Sequence, residues 1–209
     1  ASVTSFGKTL NKRIIKLKHA NDPTYDTYTA NASDIYYPSN TDGNMYSAYV
    51  DVTEYVKEYK DGEYFVADIA TSTGSGGDTG FYGGWGMIVV YENSKMKWRD
   101  IVIFDGHAYI YDEKGGTNNE ANMTYYELPI SGFNTAQHGD IRIKYGLIAG
   151  EGDRNLNASG TLDRFAIINK SNQWVNLSHA NNSTDNYFNS SIFTGGNPRN
   201  PSLLNNTGI

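Results

Sequence analysis

The sequence predicts an all-β protein, an antiparallel β-sandwich or jelly roll with one short helix and long loops rich in glycine and asparagine. The first observation is a glycine-rich bend at residues 83–86, which leads into the continuous apolar run 87–91. The second is another apolar run, residues 101–104, which ends at the turn signal of Asp105 and Gly106. Apolar runs of this length bounded by Gly and Asp are typical of buried strands. We therefore expect these two runs to be neighbouring core strands.

The other strands are predicted from apolar runs and alternating patterns, which are separated by turns rich in Gly, Asn and Asp. Short strands closely spaced by such turns are the pattern of a sandwich or jelly roll. In the strand at residues 63–70, apolar side chains fall on both alternating faces, so we expect both faces to be covered. The candidate strands in chain order are residues 13–18, 24–30, 46–52, 63–70, 85–92, 98–105, 107–112, 123–130, 141–149, 162–169 and 173–177.

One segment between these strands has helical periodicity. Within residues 51–59, apolar and aromatic side chains recur at positions i, i+3, i+4 and i+7, which places them on one face of a short helix. Asp51 or Thr53 is the expected N-cap, because both types of side chain can accept a hydrogen bond from a free backbone N–H. We expect Asp61 and Gly62 to end the helix.

Two long polar segments lie outside the predicted strands. Residues 71–80 are rich in Gly, Ser and Thr, and residues 178–209 are rich in Asn and Ser. Loops of this length are more often functional or mobile than short ones. Because no linker and no internal repeat divides the sequence, we expect a single domain over residues 1–209, and we expect it to be a fragment of a larger polypeptide.

Composition and charge argue against several classes of protein. The chain of 209 residues has no cysteine, 17 tyrosines, 22 glycines and a net charge of −6. Nucleic-acid binding needs clustered basic residues, whereas those at 12–18 partly alternate with apolar ones, as on one strand face. No apolar run in the sequence approaches the roughly 20 residues of a membrane-spanning helix, so we expect no membrane insertion. Charged residues make up only 19% of the chain, which favours a secreted protein over an intracellular enzyme.

The residues that could carry catalysis form no recognisable constellation in the sequence. Residues 78–80 match the Asp-Thr-Gly triplet of aspartic proteases, but the sequence holds no second copy to share the proton. The four histidines share no metal-ligand spacing. The sequence also has no Gly-x-Ser-x-Gly elbow and no cysteine nucleophile. We expect the protein not to be an enzyme, although a Ser-His-Asp triad assembled by the fold stays open at this point.

One loop has a spacing that suits calcium. Asp153, Asn155 and Asn157 stand at positions 1, 3 and 5, the spacing by which a tight loop points oxygen atoms inward at Ca²⁺, and Asp163 would close the shell from position 11. The loop lacks the glycine at position 6 and the glutamate at position 12 of the usual calcium loop. The alternative is an Asn-rich hairpin whose side chains bind their own backbone.

Exposed aromatic rings are the candidate ligand-binding groups, because they stack on the faces of sugar rings. We single out Trp98, Tyr36 and Tyr37 as ligand-binding candidates. The alternative is that these side chains are half-buried strand residues with a polar tip, a common role for tyrosine. Further aromatic residues of the same kind are Tyr46, Tyr49, Tyr125 and Tyr126.

An ordered set of sequence blocks carries a resemblance to a known family. The blocks are residues 48–56, 64–69, 83–92, 104–106, 130–133, 150–154 and 186–192. In this order they resemble a domain of the large secreted cell-surface adhesins of Bacteroidetes, the gliding-motility type exported by the type IX secretion system. An apolar strand that usually precedes this region in the family, and an Asp-rich segment that usually follows it, have no counterpart here. That difference supports the expectation of a fragment.

The resemblance implies a non-catalytic structural or adhesive module on the outside of a bacterial cell, acting in attachment or in a surface filament. It brings no catalytic residues with it. The implied partners are surface glycans or neighbouring domains and subunits of the same protein, with no nucleic acid. The competing hypothesis is a dedicated carbohydrate-binding module, with Ca²⁺ held by the loop that begins at Asp153.

Overall fold

The computed structural model describes residues 2–5, 7–37, 45–74, 81–110, 125–150, 163–178 and 184–189, together with the backbone of residues 193–194 and 197–198. These residues form short strands in antiparallel pairs and one short helix, so the predicted all-β class with one helix is confirmed. The elements are β1 (Ser2–Ser5), β2 (Lys8–Asn11), β3 (Ile14–His19), β4 (Asp26–Thr29), β5 (Ile35–Tyr36), β6 (Ser47–Ala48), α1 (Thr53–Tyr59), β7 (Tyr64–Ala67), β8 (Ala166–Ile168), β9 (Trp174–Asn176), β10 (Phe193–Thr194) and β11 (Asn197–Pro198).

The chain divides into two compact units. Unit 1 comprises residues 1–110 and 125–146, and unit 2 comprises residues 111–124 and 147–209. The described part of unit 2 contains the antiparallel pairs β8–β9 and β10–β11. The single domain over residues 1–209 and the stacking of sheets into a sandwich or jelly roll stay predictions.

The largest sheet described lies in unit 1 and has the order β4-β3-β7. Its central strand β3 pairs antiparallel on both sides, and Leu17 lies opposite Asp26 of β4 and Val66 of β7. Leu17 is buried, as expected for an apolar residue at the middle of a central strand. The hairpins β1–β2 and β5–β6 complete the described strand pairs of this unit.

Helix α1 confirms the helical prediction for residues 51–59. Its N-cap position is Val52, and the Asp51 side chain accepts a hydrogen bond from the Thr53 N–H at 2.8 Å. Among the described residues, α1 is the only helix, and its seven residues cannot cross a membrane. It ends at Tyr59, the last residue of the predicted segment, and Lys60 after it takes a left-handed backbone with φ of 60°.

Gly62 lies directly against the sheet and has a φ of 149°. A Cβ atom built at this position would lie 2.1 Å from Nε2 of His19 in β3. The position therefore requires glycine for its space as well as for its backbone conformation. This close approach joins the turn after α1 to the last residue of β3.

Several strand predictions are wrong for the described residues. The predicted strands 85–92, 98–105 and 141–149 form no strand, and neither do the described parts of 107–112 and 123–130. Their apolar side chains are largely exposed. An apolar β-branched run indicates suitability for a sheet, but a strand exists only where a second backbone pairs with it. The described residues supply no such partner to these runs.

The remaining strand predictions are confirmed, most of them with shorter bounds, while β3 has the predicted length and is shifted by one residue. The predicted strand 63–70 is β7, Tyr64–Ala67, and it stops where Asp68 takes a left-handed backbone with φ of 60°. The expectation that both its faces are covered is wrong, because Phe65 is exposed. The hairpin β1–β2 was not predicted, since its strands are mostly polar and contain no apolar run.

Candidate functional site

A buried cluster of hydrogen-bonded titratable groups lies in unit 1 between β3, α1 and the turn after β3. The Tyr55 hydroxyl accepts a hydrogen bond from the His19 N–H at 2.8 Å and donates one to Asp22 Oδ2 at 2.7 Å. Asp22 Oδ1 accepts the Thr24 N–H at 3.0 Å. All three cluster residues, His19, Asp22 and Tyr55, are buried. The cluster thus fixes α1 to the sheet through a continuous chain of hydrogen bonds.

The same contacts fix the protonation states of two members of this cluster. Two hydrogen bonds hold the pKa of Asp22 below its usual value. The bond from the Thr24 N–H has the larger effect, and the bond from the Tyr55 hydroxyl has the smaller one. Burial, followed by the bond to Asp22, raises the pKa of the Tyr55 hydroxyl. At neutral pH the pair is therefore a carboxylate and a neutral phenol. A pair in these states cannot exchange a proton near pH 7, which suits a structural role better than acid–base catalysis.

The His19 ring is enclosed by tyrosines. It stacks on Tyr59 with ring centroids 5.2 Å apart and meets Tyr64 edge-on at 4.9 Å. Its Nδ1 accepts the Asn21 N–H at 3.1 Å, so the proton of the neutral ring lies on Nε2. Within the described part of the chain, Nε2 is buried and has no hydrogen-bond partner. Its close neighbour is Gly62, whose missing side chain makes room for it.

The predicted ligand-binding residues Tyr36 and Tyr37 have different neighbours. The Tyr36 hydroxyl donates a hydrogen bond to Asp105 Oδ2 at 3.1 Å, and this bond raises the pKa of Tyr36. The ring of Tyr37 lies 5.5 Å from the ammonium nitrogen of Lys12, which also lies 5.2 Å from the ring of Tyr46. Tyr37 remains 41% exposed. The role of these two rings in ligand binding stays a prediction.

A serine and a histidine meet beside the β5–β6 hairpin. The Ser47 hydroxyl donates to the Gly106 carbonyl oxygen at 3.2 Å and lies 3.1 Å from His107 Nδ1. The Ser47 hydroxyl has one proton and two acceptors within reach, and which atom donates between Ser47 and His107 depends on the histidine tautomer. Burial lowers the pKa of His107. These contacts attach residues 105–107 to the hairpin.

Trp98 is the most exposed aromatic residue described, with 95% of its surface accessible to solvent. The segment that carries it is held from one side, because Asp100 Oδ2 accepts the Asn134 N–H at 2.8 Å and the Asn134 side-chain amide at 3.1 Å. Arg99 turns back onto the Lys97 carbonyl oxygen at 3.0 Å. Trp98 thus projects from an anchored segment between two cationic residues, where a ring stacked on its face meets no competing side chain of the described residues.

Large apolar side chains are exposed along two stretches of unit 1, residues 81–104 and 125–145. They include both runs, 87–91 and 101–104, for which the sequence predicts core strands. Soluble proteins expose single apolar side chains commonly, but runs of them mark surfaces that contact another molecule. Sequence reasoning missed this surface because the same residue types predict burial.

Of the four residues predicted to bind calcium, one lies among the described residues. Asp153, Asn155 and Asn157 lie outside the described residues. Asp163 belongs to unit 2, where its N–H donates to the Asp185 carbonyl oxygen at 3.1 Å and its own carbonyl accepts the Tyr187 N–H at 2.7 Å. Across the described ranges, no group of three or more His, Asp or Glu side chains could hold a metal ion. Calcium binding stays a prediction.

Comparison of the chain with protein-family models, with curated proteins and with solved structures gives no match. The resemblance to secreted adhesins therefore rests on the ordered sequence blocks alone.

Proposed function

We propose that this protein is a non-catalytic structural and adhesive module of a large secreted protein on the surface of a bacterial cell. The observation that carries the proposal is the exposed apolar and aromatic surface of unit 1 along residues 81–104 and 125–145. When another molecule covers such a surface, the contact is stabilised by about 25 cal/mol for each Å² of apolar area removed from water. The partners are surface glycans or neighbouring domains and subunits of the same protein.

Three further features support attachment over catalysis. The buried acid–base cluster of Asp22 and Tyr55 is committed to its own hydrogen bonds. The Ser47 hydroxyl is also within hydrogen-bond distance of the backbone carbonyl oxygen of Gly106, at 3.2 Å. The chain as a whole has 17 tyrosines and only 19% charged residues, and tyrosine hydroxyls offer hydrogen-bonding groups to a polar polymer. The resemblance to secreted adhesins indicates the same role.

An adhesion assay under flow tests this function. Beads coated with the full chain are passed over mucin-coated glass and over bare glass, and the fraction retained is measured against shear. We expect Ile101→Ser combined with Ile103→Ser to lower retention on at least one surface severalfold. The matched control is Ile167→Ser with Ile168→Ser, which removes two exposed isoleucines from unit 2. Retention that is equal for the parent and both variants, or equal to that of uncoated beads, would refute an adhesive role for this surface.

The exposure of Trp98 favours a second candidate, a carbohydrate-binding module. On an immobilised glycan array we expect saturable binding to one class of sugar, which is lost in Trp98→Ala. The control is Trp174→Ala, because Trp174 is also exposed but lies in β9 of unit 2. Binding that survives Trp98→Ala, or no binding to any glycan, excludes Trp98 as a sugar platform. Repeating the array with a calcium chelator tests whether the loop at Asp153 contributes.

A further inference from the structure

We propose that the run at residues 86–91 pairs antiparallel with the same run of a second copy of this chain, in the register that places the two Val89 residues opposite each other, and forms a symmetric contact through backbone hydrogen bonds. The proposal rests on the adhesive function above and names one partner for the exposed surface. It needs no group outside the chain, and it depends on three observations: unpaired backbone, exposed side chains and the placement of charges.

The backbone of this run is available for pairing. Among the described residues, nothing forms a hydrogen bond with the backbone of residues 86–91. Ile88, Val89 and Val90 expose 62%, 52% and 55% of their surface. A run of β-branched residues with unpaired N–H and C=O groups is a template for another strand. It contains no proline and no charge, the two features that natural edge strands use to prevent pairing.

The flanking charge selects an antiparallel arrangement of two identical runs. An antiparallel pairing centred on Val89 places Glu92 of each copy opposite Gly86 of the other, where no side chain meets the carboxylate. A parallel pairing in register would place the two copies of Glu92 side by side. Like charges directly opposite each other destabilise a sheet. The antiparallel register therefore brings together apolar residues only and leaves each carboxylate in water.

The same reasoning excludes self-pairing of the second apolar run. An antiparallel pairing of residues 101–104 with itself would place Asp100 opposite Asp105. Both carboxylates are also already bound, Asp100 by Asn134 at 2.8 Å and Asp105 by Tyr36 at 3.1 Å. Charge repulsion and these bonds together make residues 86–91 the run of the two that suits a second copy.

The contact is small, so the expected dimer is weak. A standard protein interface buries about 800 Å² on each partner, and six residues of one strand cover less than that. We therefore expect a dimer whose population rises with protein concentration. Sedimentation velocity over a concentration series of the full chain measures it directly.

Paired substitutions test the register as well as the dimer. In the proposed pairing Ile88 of one copy lies opposite Val90 of the other, so Ile88→Lys with Val90→Glu places opposite charges across the contact, and we expect dimerisation to persist. Ile88→Lys with Val90→Lys changes the same two positions but places like charges across it, and we expect dimerisation to be lost. Val102→Lys is the control for an added charge in the other apolar run.

The outcomes separate the alternatives. A parent chain that stays monomeric at every concentration overturns the proposal, and so does equal loss of the dimer in both double variants. Loss of the dimer in Val102→Lys overturns it in favour of pairing with residues 101–104. Circular dichroism of each variant establishes that it is folded. The bead assay on mucin and bare glass measures the adhesive function independently of dimerisation. If the chain is monomeric but beads coated with it are still retained, this pairing is refuted and the proposed function stands.

Discussion

Removing the Tyr55 hydroxyl should loosen unit 1, because that single oxygen joins the helix to the central strand. In Tyr55→Phe the His19 N–H loses its acceptor at 2.8 Å, and Asp22 loses a donor at 2.7 Å. A buried donor left without a partner costs about 1–3 kcal/mol, and a hydrogen bond to a charged group contributes about 1.5–3 kcal/mol. Asp22 keeps its bonds from Thr24. Because Asp22 keeps these bonds, we expect the free energy of unfolding to fall by about 3 kcal/mol, which is in the lower half of the range obtained by adding the two effects.

Hydrogen exchange of the β3 amides is the appropriate assay, since it reports on this sheet without requiring both units to unfold together. A loss of about 3 kcal/mol accelerates exchange at Leu17 roughly a hundredfold when exchange follows opening of the sheet. The control is Tyr28→Phe. Tyr28 packs edge-on against Tyr55 with centroids 6.1 Å apart, but its hydroxyl has no hydrogen-bond partner among the described residues. Equal acceleration in the two variants would show that the hydrogen-bond chain through the Tyr55 hydroxyl does not hold α1 on the sheet.

Two further predictions concern the same region. Gly62→Ala should destabilise the protein by about 1–3 kcal/mol more than Gly106→Ala, as measured by urea unfolding. The two glycines have nearly equal φ values of 149° and 147°. A Cβ atom at Gly106 meets nothing within 4 Å, whereas one at Gly62 meets His19. Equal destabilisation by the two substitutions would mean that the backbone angle alone matters. The second prediction is acid sensitivity. Because the folded-state pKa of Asp22 is lowered, its contribution to stability is present above the unfolded-state pKa of about 3.9 and is lost as pH falls through the lower folded-state value. An acid titration followed by circular dichroism should show a shallower loss of stability in Asp22→Asn, and an unchanged slope would contradict the assignment.

The elements that sequence reasoning identified correctly are those determined by local pattern. Helix α1 was predictable because its apolar face repeats over residues 51–59 and Asp51 supplies an acceptor at its start. Strand β3 was predictable because its residues alternate within one short run. In both cases the information lies within a few residues of the element. The hairpin β1–β2 is local too, but its signal is only Gly7, whose left-handed φ of 73° suits a tight turn.

The elements that were predicted wrongly depend on contacts distant in sequence. The runs 87–91 and 101–104 have the composition of core strands, yet a strand needs a partner that composition does not supply. Tyr36 lies in β5 and Tyr37 directly follows it, yet their neighbours are Asp105 and Lys12, which the local pattern does not indicate. The bond that holds the segment of Trp98 is equally distant, because Asp100 is bound by Asn134, 34 residues further along the chain.

The described residues of unit 1 combine a buried charged pair with exposed apolar side chains. Here the Asp22–Tyr55 pair is buried and saturated with hydrogen bonds, while the apolar residues of two long stretches are exposed. The bonds from the His19 N–H to Tyr55 and from Tyr55 to Asp22 must break for α1 to leave the sheet. A sheet held in this way and an exposed apolar surface in the same unit suit the attachment that we propose.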